Sequence, residues 1–446
     1  MRQAWGPLPA IGNSGQTGRR LRAGAIAMPA FIRDANGVLS VSGVSLADIA
    51  AQYGSPLYVY SGDGIRDDYR RFAGAVGPAG GRVHFALKAN SALGVIALLA
   101  HEGAGADIVS GGELARALAA GIPASKIVFS GVGKAADEIA AALDAGIGQI
   151  NAESPQEVEA ISQIAASRGI KAPVALRVNV DVTPQTHAKI STGQRSTKFG
   201  VSTAQNEAAN LYRQIAADPH ISAAGLAVHI GSQITSLEPF EQAYRALLDF
   251  GTALRAEGLD VPVLDLGGGI GVDYEAGEAC DFTDYGALVS RLFADSGFIL
   301  GFEPGRSIMA NNGVLLTRVI YVKDGDNKRF VIVDAAMNDL LRPTLYEAHH
   351  AIQTVQSPGP GIGPADIVGP VCETGDYLGQ GRDMPQLGAG DALAVLSAGA
   401  YGAVMASSYN TRPPAGELLV MDGTCHVLRR QRTVAELLAE ETVPDF

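Results

Sequence analysis

Apolar residues along the chain fall into short runs separated by longer stretches rich in Ala and Leu. The runs are "VHFAL" (83–87), "ADIV" (106–109), "KIVFS" (126–130), "GQINA" (148–152), "VALRVN" (174–179), "GLAVHI" (225–230), "VLDLGG" (263–268) and "ILGFEP" (299–304). In the first of them Val83, Phe85 and Leu87 alternate with smaller or polar residues, as on a half-buried strand. The stretches between, such as "GGELARALAAG" and "AADEIAAALDAG", repeat Leu, Ile and Ala at helical spacing and finish on Gly, a common helix stop. Eight strand–helix units within about 220 residues predict a (β/α)8 barrel over residues 61–304. An open doubly wound sheet is the alternative, because repetition alone does not prove closure.

Beyond Glu303 the rhythm changes. "RFVIVDAA", "ALAVLSAG" and "ELLVMDGTCHVLRR" read as strands between loops rich in Pro and Gly, and "SPGPGIGPADIVGP" (357–370) reads as loop by composition. Residues 305–446 are therefore expected to form a mostly β domain. The early strands "GVLSVSG" and "LYVYS", within residues 28–60, are expected to join it.

Composition narrows the function classes. The chain has 446 residues, 47% of them hydrophobic, a formal net charge of −12 and a pI near 5.2. With no basic block, nucleic acid is not an expected partner. No apolar run reaches the ~18 residues of a membrane span, so no membrane association is expected. Cys280, Cys372 and Cys425 are odd in number, far apart and without metal-ligand spacing. They point to a reducing compartment, taken as the cytoplasm, and to no metal site. Residues 1–27 carry no acidic residue but do carry Arg19, Arg20 and Arg22, and Met28 follows. The expectation is a disordered extension or an over-long start, with organellar targeting as the alternative.

Barrel enzymes gather their chemistry at the C-terminal ends of the strands. There the sequence places Lys88 after run one, Asp107 and Ser110 at run two, Glu153 after run four and Arg177 on run five. His229 and Ser232 follow in "HIGSQ", Gly267–Gly271 form "GGGIG", and Glu303–Arg306 form "EPGR". A lysine among polar groups can form a Schiff base. Successive glycines expose backbone N–H groups to a phosphate. A carboxylate can hold a pyridine nitrogen protonated, and an imidazole can cover the ring. Alone, the glycine run is a turn, His229 a core histidine and Lys88 a snorkelling surface residue. Together on one rim they describe a site for pyridoxal 5'-phosphate.

"FALKAN", "ADIVSGGEL", "HIGSQ", "DLGGGIG", "EPGR", "GPVCETGD" and "GAYG" resemble the fold-type III pyridoxal-phosphate decarboxylases. Within that group, "HAKISTG" with "KFG" (187–200) and "MNDLLRPTLY" (337–346) resemble the diaminopimelate decarboxylases. The motifs occur in order over roughly residues 38–425; Thr374 departs from the serine that commonly follows the Cys-Glu pair. The resemblance implies that Lys88 carries the cofactor covalently, Glu303 pairs with its ring nitrogen and His229 stacks on the ring. It implies that Gly269, Gly305, Arg306 and Tyr401 line the phosphate end. Asp107, Arg177, Ser232 and Gly268 belong to the same cofactor set. Arg306, Arg342, Tyr346, Glu373 and Tyr401 would contact substrate, and Cys372 would return a proton after CO2 leaves. In such enzymes the Cys-Glu pair reaches into the neighbouring subunit's site, so a homodimer is implied as the active unit.

The resemblance also fixes the expected reaction: meso-2,6-diaminopimelate to L-lysine and CO2, the last step of lysine biosynthesis. Diaminopimelate carries a carboxylate and an ammonium at its far end. Arg306, Arg342 and Tyr346 suit the carboxylate and Glu373 the ammonium. Ornithine has only the ammonium, and arginines left unpaired in a closed site cost several kcal/mol. Decarboxylases of ornithine, lysine, arginine or a carboxylated polyamine remain the alternative. An ion pair at the domain junction remains another use for Arg342.

Overall fold

The computed structural model describes residues 30–182, 198–274 and 279–446. The 1–27 segment and the "HAKISTG" motif lie outside the described residues.

Each of the eight apolar runs forms a strand. They are Gly81–Ala86, Gly105–Ile108, Ile127–Phe129, Gln149–Ala152, Ala172–Asn179, Ile221–Ala227, Val263–Asp265 and Ile299–Phe302. Each pairs in parallel with the next. The last pairs back onto the first through Leu300–Gly81, Gly301–Arg82 and Phe302–Val83, which closes the barrel and rules out the open sheet. Two helix starts show why strands turn so abruptly into helices. Ser110 Oγ accepts from Glu113 N (3.2 Å) and Ser154 Oγ from Glu157 N (3.2 Å), each satisfying a backbone donor that has no partner within its helix. Ser110 is thus a cap at the rim. The Ala136–Ala145 helix ends at Gly146 in the left-handed region (φ +72°), as the "DAG" ending implied.

The barrel interior is polar near its C-terminal end. Gln149, Asn151, Asp107, Asp265 and Glu303 are all buried there among apolar neighbours. Buried polar groups need hydrogen-bond partners, and these residues supply one another.

The second unit is a nine-stranded sheet. The "LYVYS" strand, Leu57–Ser61, lies between Gly313–Asp324 (antiparallel) and Gly416–Met421 (parallel). "GVLSVSG" contributes Leu39–Val41 to a separate three-stranded sheet with Phe31–Arg33 and Val44–Ser45. Its Leu39 and Val41 share one buried cluster with Val59, Val314 and Leu418, so it joins the β unit by packing. One reading from composition is corrected. Within 357–370, Gly361–Val368 is a strand between Arg329–Val333 and Tyr377–Pro385. The register slips between Gly361 and Pro364, where the missing proline N–H is tolerated, and Ala365 and Ile367 are buried. Among the described residues no helix is long and apolar enough to cross a membrane.

Candidate active site

Lys88 sits in the single 3-10 turn Leu87–Ala89, immediately after barrel strand one. The turn is tied to the β unit: Tyr401 N donates to Ala89 O (2.8 Å) and Asn90 Nδ2 donates to Gly399 O (3.1 Å). The Lys88 side chain, 31% exposed, donates from Nζ to Asp107 Oδ2 at 2.6 Å. Burial works against the ammonium, but Asp107, Glu303 and Tyr401 together outweigh it and raise the pKa above its usual range. The other oxygen, Asp107 Oδ1, is buried without a partner among the described residues.

Glu303 directly follows strand eight. Its Oε1 accepts from Ser130 Oγ (3.3 Å) and Asn151 Nδ2 (3.5 Å), and it shares a hydrogen bond with Asp265. Gln149 Nε2 links Asn151 Oδ1 (2.8 Å) to Asp265 Oδ2 (3.3 Å). Burial, then repulsion from Asp107 and Asp265, pushes the Glu303 carboxyl well above the usual range. His229 Nδ1 accepts from Gly268 N (3.2 Å), which leaves the proton on Nε2. Burial, with Arg177 and Lys88 nearby, keeps this imidazole neutral. Arg177 Nη1 is held by Glu153 Oε1 (2.9 Å), whose other oxygen accepts from Gly200 N (3.0 Å). Glu153 is therefore a support for Arg177 and for the Lys198–Gly200 turn.

The glycine run lies where no side chain fits. A Cβ on Gly268 would overlap the Glu303 carbonyl oxygen, and one on Gly269 (φ +109°) would overlap that of Gly231. At Gly305 a Cβ would press on Ala89 Cβ at 2.9 Å, beside the Lys88 turn. Gly269→Ala is expected to cost at least ~1–3 kcal/mol of stability from backbone strain alone. It should lower both the unfolding midpoint and cofactor retention, read by thermal unfolding and by bound-cofactor absorbance. An unchanged midpoint would show that the loop relaxes freely.

A second cluster lies beside the first. Arg306 donates to Ser232 Oγ from Nε (3.3 Å) and Nη2 (3.0 Å), and from Nη1 to Tyr274 Oη (2.8 Å). Its guanidinium carbon lies 4.7 Å from the Tyr401 ring centre. Arg342, on the Arg342–Tyr346 turn of helix, stands 4.7 Å over the Tyr274 ring and also bonds its hydroxyl. Burial opposes ionisation of Tyr274, yet the two guanidiniums outweigh it and lower its pKa. Arg306 and Arg342 are both buried, and among the described residues neither forms a salt bridge. Tyr346 lies close enough to Arg306 to act on its charge.

Two expected residues stay outside. Cys372 and Glu373 are exposed on the turn after Gly361–Val368. There Cys372 N donates to Asn410 Oδ1 (3.1 Å) and Glu373 bonds Tyr409. Neither touches the Lys88 or Arg306 clusters within this chain. Conversely, Tyr274 and His350, which bracket the arginines, were not anticipated. Tyr274 follows the glycine run by three residues, and His350 belongs to a "HH" pair in a chain with 8 histidines.

Residues 63–310 match the family "Pyridoxal-dependent decarboxylase, pyridoxal binding domain". Diaminopimelate decarboxylase of Zymomonas mobilis is 48% identical over 91% of this chain and 97% of its own. That of Pseudomonas aeruginosa is 49% identical over 92% and 98%. The chain belongs to the diaminopimelate decarboxylase family. The fold agrees. The crystal structure of the Helicobacter pylori diaminopimelate decarboxylase complexed with L-lysine superposes with a TM-score of 0.85, at 40% identity over 89% of this chain and 99% of that one. The M. jannaschii diaminopimelate decarboxylase in co-complex with L-lysine gives 0.89, at 33% identity over 93% and 98%. Family membership makes the chain a pyridoxal-phosphate-dependent carboxy-lyase.

Proposed function

We infer that the chain converts meso-2,6-diaminopimelate to L-lysine and CO2, the last step of lysine biosynthesis, and that the rim residues act as follows. The observation that carries the reading is the pair of buried arginines that form no salt bridge among the described residues, beside the Lys88 cluster. Unneutralised guanidiniums in a closed site call for an anion. A substrate with a carboxylate at its far end supplies one, and ornithine does not.

The residues fit pyridoxal 5'-phosphate. Asp107 Oδ1, without a partner among the described residues and beside the Lys88 amine, the buried Glu303 carboxyl and the glycine positions that exclude Cβ atoms suit an aldehyde, a ring and a phosphate. Lys88 would hold the cofactor, with Asp107 fixing its amine. Glu303 would face the ring nitrogen, and neutral His229 would cover the ring. Arg177, Ser232, Gly268, Gly269, Gly305, Arg306 and Tyr401 would complete the pocket. When bound, the cofactor supplies the electron sink that takes up the charge left as the carboxylate bond breaks.

Arg342, with Tyr346 and Arg306, orients the distal carboxylate, so the carboxylate that is lost stands at the reacting end. A proton then returns to the α-carbon from the Cys372 thiol of a second subunit, while Glu373 of that subunit meets the distal ammonium. Exposure of both residues, away from their own chain's clusters, supports a homodimer with shared sites. The assignment of the enzyme to the cytoplasm rests on the odd, widely separated cysteines Cys280, Cys372 and Cys425.

Arg342→Ala tests the substrate claim. A charge-assisted hydrogen bond contributes ~1.5–3 kcal/mol, so kcat/KM for diaminopimelate should fall at least about tenfold and up to more than a hundredfold. Turnover of L-lysine, which has no distal carboxylate, should not fall comparably. Equal losses on both substrates with cofactor retained would refute the role.

A further inference from the structure

Arg342 would normally be expected to face a carboxylate. It faces a histidine instead: Arg342 Nη1 lies 2.8 Å from His350 Nε2. His350 Nδ1 lies 2.8 Å from the Leu396 carbonyl oxygen, directly after the Ala392–Val395 strand. A carbonyl only accepts, so Nδ1 carries the proton and Nε2 offers its lone pair to the guanidinium. His350 is fully buried. Burial and the adjacent Arg342 cation hold its pKa well below the usual range, which agrees with the neutral form that both contacts require.

The same imidazole supports the rest of the arginine cluster. Its ring meets the Tyr274 ring edge-on (5.4 Å, 76°), and Tyr274 lies under Arg342 and bonds Arg306. From Leu396 outward, therefore, each group fixes the next: carbonyl, imidazole, guanidinium and phenol, then the second guanidinium. Tyr274 is sandwiched, and Arg342 is aimed from behind.

We propose that His350 is a positioning residue for substrate selectivity: a neutral acceptor that directs Arg342 without neutralising it. A carboxylate at this position would hold the guanidinium equally well but would compete with the incoming anion for its charge. An imidazole fixed as an acceptor leaves the full positive charge, and the remaining N–H donors, facing the ligand. The inference rests on the reading of Arg342 as the distal-carboxylate group.

The test uses the holoenzyme and three variants, His350→Leu, His350→Gln and Arg342→Ala. It measures kcat and KM for meso-diaminopimelate and the inhibition constant of L-lysine, with thermal unfolding and bound cofactor as controls. His350→Leu should raise KM for diaminopimelate about tenfold while changing kcat and the L-lysine constant less than about threefold, as loss of one positioned hydrogen bond to a charged group implies. His350→Gln, whose amide oxygen restores an acceptor near the Nε2 position, should recover most of the KM. Parallel losses on diaminopimelate and L-lysine would mean that His350 serves the fold alone. Wild-type behaviour of His350→Leu, with diaminopimelate selectivity lost in Arg342→Ala, would overturn this inference and leave the Arg342 reading standing. Unchanged selectivity in Arg342→Ala would overturn both.

Discussion

Lys88→Ala should remain folded, fail to hold pyridoxal phosphate covalently and lose at least about a thousandfold in kcat. Positioned acid–base groups supply ~10²–10⁴-fold, against the ~8–23 kcal/mol by which enzymes lower barriers. The larger share must come from the electron sink and from its orientation, and Lys88 anchors both. The variant also removes the cation paired with Asp107 at 2.6 Å, on a fully buried carboxylate. An uncompensated buried charge costs ~3–5 kcal/mol, so the variant should also be less stable than the wild type. A companion Lys88→Ala/Asp107→Asn protein separates lost chemistry from lost stability: its unfolding midpoint should recover while its activity does not. Borohydride reduction of the wild type followed by peptide mapping should place the cofactor on Lys88. Label on another lysine, or near-normal turnover by Lys88→Ala, would refute the assignment.

The barrel was legible because most strands are short apolar runs and most helices close on or beside a usual stop, so local preference and global topology agree. The Lys88, Asp107, Glu303 set was legible for the same reason: a polar residue at the end of an apolar strand stands out. Closure itself was not legible, since it rests on the pairing of Ile299–Phe302 with Gly81–Ala86, a contact over two hundred residues long in sequence. The strand at Gly361–Val368 was hidden because Gly and Pro occupy its bulged, exposed end while its buried apolar side chains are just Ala365 and Ile367. His350 and Tyr274 were hidden for a different reason. Their role depends on which arginine each meets after the β unit folds back onto the barrel rim. A lone histidine near a strand gives no such sign. The polar interior around Gln149 and Asn151 had a faint one, since "QINA" interrupts an otherwise apolar series of strands.

The exposed turn carrying Cys372 gives the prediction that reaches beyond one chain. If Cys372 returns the proton in a neighbour's site, then Cys372→Ala and Lys88→Ala proteins, each nearly inactive alone, should complement on mixing. Each subunit contributes Lys88 to one site and Cys372 to the other. In a mixed dimer one site lacks both groups and the other has both. Random exchange at equal amounts makes half of all dimers mixed, each with one intact site of two, so about a quarter of wild-type activity should return. Kinetic parameters separate this from a trivial rescue: the recovered activity should show the wild-type KM for diaminopimelate, with only the amount of active enzyme reduced. A Cys372→Ala/Lys88→Ala double variant mixed with wild type gives the control. Its mixed dimers hold two sites, each missing one group, and so should be inactive. Equal mixing should therefore leave about a quarter of the sites, those of the remaining wild-type dimers, where independent sites would leave half. Recovery to a quarter in the first mixture with a fall to a quarter in the second requires shared sites. No recovery despite proven exchange would place Cys372 outside the partner's chemistry.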